Sequence, residues 1–459
     1  MDRDMYLRAG MPALAVLAAI SLAAPALSQT STAIPAKAYG PVWTGFYVGA
    51  AFGGGALVNK MNTSAGGASL GLDGLGSSGV LGSIYGGVDY QVLPKAIIGA
   101  LAEATLSGFQ SSATAQVPGA GATATTTAGL GWSVLGRAGF LANPSTLLYL
   151  VGGYTGQNIS TSGTAVAGGA VASFSRNDTV HGWTVGPGFE TMLTGGWSAK
   201  LEYRYSQFGT TTPSGTAINI TPSTQAIRAG LSYKFGGLAA PSYDEQATAY
   251  RPEKTNWTGV YGGVAGGGGV AVNNVSTAFG GASTSITGAG QGLLGSVFAG
   301  ADYQFAPQAL VGVMGDFTWA GLQSTASLTA GGGNATIAAQ ANRAWSVMAR
   351  LGYLPTPSTL LYAAGGYAGQ NITSTATAFA GGASAFASQD NTFHGWTVGP
   401  GVETVVTGGW TTRLEYRYSQ FQQQQILSGV GIQPETHTVR AGLAYKFGIG
   451  APSPSIASE

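Results

Sequence analysis

The chain has 459 residues and a formal net charge of +1, with 76 glycines, no cysteine and only 8% charged side chains. That balance gives no electrostatic footprint for nucleic acid or an acidic surface. The missing cysteines exclude a disulfide framework and thiol chemistry, and the charge content lies far below the about 25% of a soluble domain.

At the amino terminus Arg3 and Arg8 precede an uncharged run from Met11 to Ala24, and Ala26-Leu27-Ser28 offers small side chains before Gln29. This pattern predicts a secretory signal peptide over residues 1–28, with 29–42 as a short lead-in. Past it no run of ~18 apolar residues occurs, so helical membrane spans are excluded.

The next 194 residues alternate with period two in eight places. Strands are predicted near Trp43–Gly53, Val80–Tyr90, Ala96–Phe109, Gly131–Leu141, Thr146–Gln157, His181–Leu193, Trp197–Phe208 and Gln225–Phe235. Each is close to the ~9–11 residues of a tilted transmembrane strand. Short Pro- or Gly-bearing turns are expected at 91–95, 142–145 and 194–196. Long Gly/Ala/Ser/Thr connections are expected around 54–79, 110–130, 158–180 and 209–224. Short turns on one side and long loops on the other is the pattern of an outer-membrane barrel.

The chain then repeats itself. Trp132 and Trp345, Arg137 and Arg350, His181 and His394, and Glu190 and Glu403 are each 213 residues apart, so a whole domain is duplicated. His181–Phe208 and His394–Phe421 differ at only six positions. In the first of these blocks Lys200, Glu202, Arg204 and Ser206 share one strand face, and Leu201, Tyr203 and Tyr205 the other. A small membrane barrel would turn the aromatic face to lipid and the charges into its lumen. Between the copies, 237–256 carries prolines and charges without periodicity and is predicted to be a periplasmic linker; 449–459 is a similar tail.

Strand parity places Asp89, Glu103, Glu190 and Glu202 in the first lumen with Arg137, Lys200, Arg204 and Arg228. The second repeats this with Asp302, Asp316, Glu403 and Glu415 against Arg350, Arg413, Arg417 and Arg440. Matched numbers predict a structural ion network filling each lumen, because an unpaired buried ion costs several kcal/mol by order of magnitude. Trp43, Trp132, Trp183 and Trp197, with Trp257, Trp345, Trp396 and Trp410, fall at strand ends and are expected in the interfacial aromatic belt. His181 and His394 occupy one repeat position beside a Gly-Trp pair, where an interfacial role competes with haem ligation. GGVAGGGG at 262–269 lacks the lysine and helix of a phosphate loop. No cofactor, catalytic or metal site is expected.

These residues carry a family resemblance. WTGFYVGA at 43–50, GRAGFLANPSTLLYLVGG at 136–153, the His181–Phe208 block and IRAGLSYKF at 227–235 resemble the small eight-stranded outer-membrane immunogenic proteins of alpha-proteobacteria, within the opacity-protein and OmpA-like barrels. The second half repeats all four. The resemblance implies a bacterial outer-membrane protein with immunogenic loops, lipid and the barrel-assembly machinery as partners, and haemin or a host component as a ligand of the loops. It makes Phe235 and Phe447 the strand-terminal assembly signals, both internal here. The expected fold is all-β, two tandem eight-stranded antiparallel transmembrane barrels at 43–236 and 257–448. The alternative is one sixteen-stranded barrel, which would open an aqueous channel and make the protein porin-like.

Overall fold

A computed structural model of the chain describes residues 43–212, 217–235, 255–279, 282–427 and 430–447. The expected signal peptide 1–28, lead-in 29–42, tail 449–459 and all but two residues of the linker lie outside the described residues. The first copy forms β1 (Gly45–Ala65), β2 (Ala68–Leu93), β3 (Ala96–Ser107), β4 (Gln110–Val117), β5 (Ala120–Asn143), β6 (Thr146–Ala167), β7 (Ala170–Met192), β8 (Trp197–Phe208) and β9 (Ile218–Phe235). The second forms β10 (Gly259–Phe279), β11 (Ala282–Ala306), β12 (Ala309–Ala330), β13 (Gly333–Thr356), β14 (Thr359–Ala380), β15 (Ala383–Thr407), β16 (Trp410–Phe421), β17 (Gln424–Leu427) and β18 (Val430–Lys446).

Every ladder is antiparallel, and the staves close into two rings of eight. β1 pairs with β2 and, from Phe46↔Phe235 to Thr63↔Ile218, with β9. β10 pairs in the same way with β11 and with β18. Among the described residues no ladder joins β9 to β10, so the wide sixteen-stranded ring does not form. β3 and β4 both pair with β5 and make one stave, interrupted at Gly108 and Phe109. Closure matters because a sheet edge inside a bilayer would leave N–H and C=O groups without partners.

The long connections differ from expectation. Most of 54–79, 110–130 and 158–180 is strand, and β2 alone runs for 26 residues. The barrel walls continue as paired hairpins, four of which turn at Gly66-Gly67, Gly168-Gly169, Gly331-Gly332 and Gly381-Gly382. Both glycines of each tip have positive φ, 58° and 79° at Gly66 and Gly67, the two-residue turn that best suits the twist of a hairpin. Cross-strand threonines such as Thr123 and Thr164, 2.7 Å apart between hydroxyls, line these extensions. Register shifts at Ala128/Gly131, Trp319/Leu322 and Ala341/Arg343 mark where barrel wall gives way to hairpin.

The two rings pack side by side through one patch used twice. Phe189, Leu201 and Ile227 of the first copy meet Val402, Leu414 and Val439, which occupy the same repeat positions in the second. Ala56 and Val58 likewise meet Val270 and Val272. On the pseudo-two-fold axis the Thr146 and Thr359 hydroxyls stand 2.7 Å apart, and Asn143 Nδ2 donates to Thr404 Oγ1 at 3.0 Å. Short ladders between hairpins, Asp73–Ser69 with Thr325–Thr329 and Ala113–Gln116 with Ser283–Ile286, tie the rings at the far end. Because the chain has no cysteine, Thr146→Cys/Thr359→Cys is expected to form a single intramolecular disulfide on mild oxidation, read as a mobility shift on non-reducing gels. A fully reduced product would contradict this docking.

Candidate functional site: two filled lumens

Inward residues come from alternate positions of each strand, and in both rings they assemble two ion clusters stacked along the axis. At the short-turn end of the first ring, Arg137 of β5 donates from Nε to Asp89 Oδ1 at 2.6 Å and from Nη1 to Glu190 Oε2 at 2.7 Å. Its Nη2 also binds Asp89. Lys234 of β9 reaches Asp89 Oδ2 at 2.7 Å and Glu190 at 3.4 Å, and Ser198 donates to Glu190 at 2.7 Å. The guanidinium lies 4.8 and 5.1 Å from the rings of Tyr47 and Tyr149, so its faces are covered as well. Gly87 makes this possible, since a Cβ there would stand 2.5 Å from Tyr47 Oη.

Toward the hairpins, Arg204 forms a bidentate pair with Glu103, both bonds 3.0 Å, and donates from Nε to Glu202 at 2.6 Å. Arg228 also binds Glu103, and Tyr149 donates to the second oxygen of Glu202 at 2.8 Å. Lys200 stands 3.8 Å from Glu202 with its ammonium 3.4 Å above the Tyr85 ring.

The second ring repeats the short-turn cluster through Arg350, Asp302, Glu403 and Lys446, with Arg350 bonds of 2.7 and 2.9 Å to the two carboxylates. Asp316 replaces glutamate in the upper cluster. Being one methylene shorter, it meets Arg417 through Nη1 alone, at 2.5 Å from Oδ2, to which Ser346 also donates; Arg440 takes Oδ1 at 2.8 Å. Arg417 also binds Glu415, which accepts from Tyr362 at 2.7 Å.

All sixteen charges expected in the lumens are buried there or nearly so, and fifteen of them meet an opposite charge. Arg413 is the exception. It has no carboxylate within 4.0 Å among the described residues, and instead stacks 3.3 Å from the centroid of Phe298. Lys234 and Lys446 were not in the expected set, although they share parity with Arg228 and Arg440 across a strand already assigned.

The tryptophans divide. Trp132, Trp183, Trp197, Trp345, Trp396 and Trp410 face outward with 37–51% exposure, as expected of a belt. Trp43 and Trp257 do not. They are 1% and 0% exposed and close the short-turn mouths of the lumens, each donating from Nε1 to a turn carbonyl, Pro144 or Pro357, at 2.9 Å. The indole N–H satisfies a carbonyl that the tight turn leaves over, and Lys234 or Lys446 caps the ring. Phe235 and Phe447 face outward at strand ends beside Tyr233 and Tyr445.

His181 and His394 also lie on the outer faces, stacked at 5.8 and 5.9 Å on Tyr154 and Tyr367 and edge-on to Trp132 and Trp345. No group of three potential metal ligands occurs among the described residues. Each lumen holds a void of about 20 Å³, lined by Arg204, Arg228 and Thr105 in one ring and by Arg417, Arg440 and Asp316 in the other.

Residues 13–235 and 237–447 each match the family model for the outer membrane protein beta-barrel domain. The chain belongs to that family. It is an outer-membrane protein, and the family barrel is present twice. Over 56 residues it is 43% identical to the 25 kDa outer-membrane immunogenic protein of Brucella abortus, a match covering 12% of this chain and 26% of that protein. The 31 kDa outer-membrane immunogenic protein of Brucella melitensis is 37% identical over 62 residues, 13% of this chain and 26% of the relative. The chain thus spans about a quarter of the length of the curated relatives it matches. Among solved structures, Neisserial surface protein A is 17% identical, with 40% of this chain and 97% of that one covered and a TM-score of 0.21.

Arg137→Ala leaves Asp89 and Glu190 facing each other in a dry lumen with only Lys234 between them. It is expected to destabilise the folded barrel by about 3–5 kcal/mol, measured as a lower urea midpoint in detergent. Lys60→Ala removes a half-exposed partner of Asp73 at 4.0 Å and is expected to change stability by less than about 1 kcal/mol.

Proposed function

We propose that this protein is a non-catalytic envelope protein of the outer membrane, whose side-chain-filled barrels act as rigid posts for surface-exposed, immunogenic hairpins. The filling of both lumens carries the reading. A void of about 20 Å³ holds little more than one water. Carboxylates that might line a water column are instead closed off by guanidinium groups and tyrosine hydroxyls. The same pairing argues against acid–base work in the lumens, since each expected lumen carboxylate is taken up by a cation.

The hairpin tips are built of glycine, alanine, serine and threonine, with few of the aromatic and arginine anchors that fasten a tight ligand. This favours display over capture. The names of the Brucella relatives, immunogenic outer-membrane proteins, support the antigen reading. Haemin capture finds less support, because His181 and His394 are already stacked on tyrosines and stand on separate barrels. In this reading residues 1–28 are the export leader, and Phe235 and Phe447 are offered to the barrel-assembly machinery.

In a planar bilayer the refolded mature protein is expected to show no porin-sized conductance steps, with heat-dependent gel mobility as the folding control. Stable large steps would replace the structural reading with solute passage. Ala167→Cys, at an exposed hairpin tip, is expected to react on intact cells with a membrane-impermeant maleimide. Labelling only after cell lysis would refute surface display.

A further inference from the structure

The seam between the barrels is symmetric in its backbone but not in its side chains. On one side Tyr416, Tyr418 and His437 are buried together; Tyr416 Oη and His437 Nδ1 are 2.7 Å apart, and the Tyr418 ring lies 5.1 Å from the imidazole. The outward position of β1 that belongs to this side is Phe52, paired with Ala229. On the other side the matching positions are Tyr203, Tyr205 and Gln225, and the counterpart of Phe52 is Gly266, paired with Ala441. Both tyrosines are only half-buried there, and Gly266 is exposed. A cleft of about 690 Å³ opens between Tyr203, Tyr205 and Pro187 of one barrel and Gly266, Gly268 and Leu293 of the other.

We propose that this cleft is a binding site for an acyl chain of a membrane lipid. Its walls belong to the outward faces of strands in the membrane-crossing part of each ring, and it continues the apolar seam made by Leu414, Val439 and Ile227. The polar groups at its hairpin end are already used: Tyr203 donates to Gln225 at 2.9 Å, Gln225 to Gln291 at 3.2 Å, and Tyr205 to Gln207 at 2.8 Å. The cleft therefore offers apolar surface and little to hold water, and an empty gap would forfeit dispersion contacts along both walls. Its volume falls within the ~300–1,000 Å³ of ordinary ligand pockets. Gly266 and Gly268 form a flat strip against which a methylene chain can lie; a Cβ at Gly266 would have no neighbour nearer than 4.0 Å.

The test is native mass spectrometry of the full mature chain in detergent, equilibrated with palmitoyl-oleoyl phosphatidylethanolamine. Two variants copy the closed side onto the open one: Gly266→Phe and, independently, Gln225→His. Wild type is expected to keep one phospholipid at activation energies that strip the rest, and each variant to lower that occupancy about tenfold, equivalent to ~1.4 kcal/mol. Heat-dependent mobility and the Thr146→Cys/Thr359→Cys disulfide confirm that each variant is folded and docked. Equal retention in wild type and both variants, a wild type that keeps no phospholipid, or retention of detergent in its place would each overturn the proposal.

Discussion

The arrangement depends on one guanidinium per ring. Arg137 on β5 reaches Asp89 on β2 and Glu190 on β7, while Lys234 on β9 holds the same two carboxylates from the opposite wall. No two of these four residues lie on the same strand, so the cluster exists only when the ring is closed. Closure in turn excludes the water that would otherwise solvate the ions. Buried pairs of this kind contribute little net stability over an apolar core of equal volume, but leaving one partner alone is expensive. The clusters therefore act less as a source of stability than as a demand: an open or misregistered ring would strand charges in a dry interior.

The two copies show how far that demand can be relaxed. In the first, Tyr85 Oη and Ser232 Oγ are 2.8 Å apart, and the ammonium of Lys200 sits over the tyrosine ring. In the second, phenylalanine and alanine stand in their places at 298 and 444, and arginine replaces the lysine at 413. Both halves of a hydrogen bond have gone together, so neither leaves its partner behind, while Arg413 keeps Nε and Nη1 buried without a hydrogen-bond partner. The remaining cation is held by an aromatic face instead of a carboxylate. The glutamate-to-aspartate change between Glu103 and Asp316 is met differently, by the Ser346 hydroxyl donating to the shorter carboxylate, whereas Ser133 at the same repeat position bonds Thr155.

Much of this is legible in the sequence. Period-two alternation over Trp197–Phe208 identifies the lumen face residue by residue, because parity in a strand leaves no freedom once one charge is assigned. Lys234 and Lys446 obey the same rule, lying at the parity of Arg228 and Arg440 on the same strands. The hairpin extensions do not announce themselves as strands, since Gly-, Ala- and Thr-rich stretches lack the bulky residues that usually mark them; the paired glycines at 66–67 and 168–169 are the available signal. Trp43 and Trp257 could not be separated from the belt tryptophans by position alone. What distinguishes them is a turn carbonyl a hundred residues away that only the folded ring brings within reach. The seam was illegible for a deeper reason: Leu201, Ile227 and Val439 look the same whether they face lipid or another barrel.

The pseudo-two-fold axis through Thr146 and Thr359 carries a consequence for assembly. A patch that recognises its own duplicate is used up when two copies meet, whereas a head-to-tail contact would leave a free end at every step. Tethering the two copies on one chain also makes their encounter unimolecular, so even a weak seam can stay closed at the low abundance of a single protein in a crowded membrane. The duplication thus gives each copy of the patch its complement within one chain.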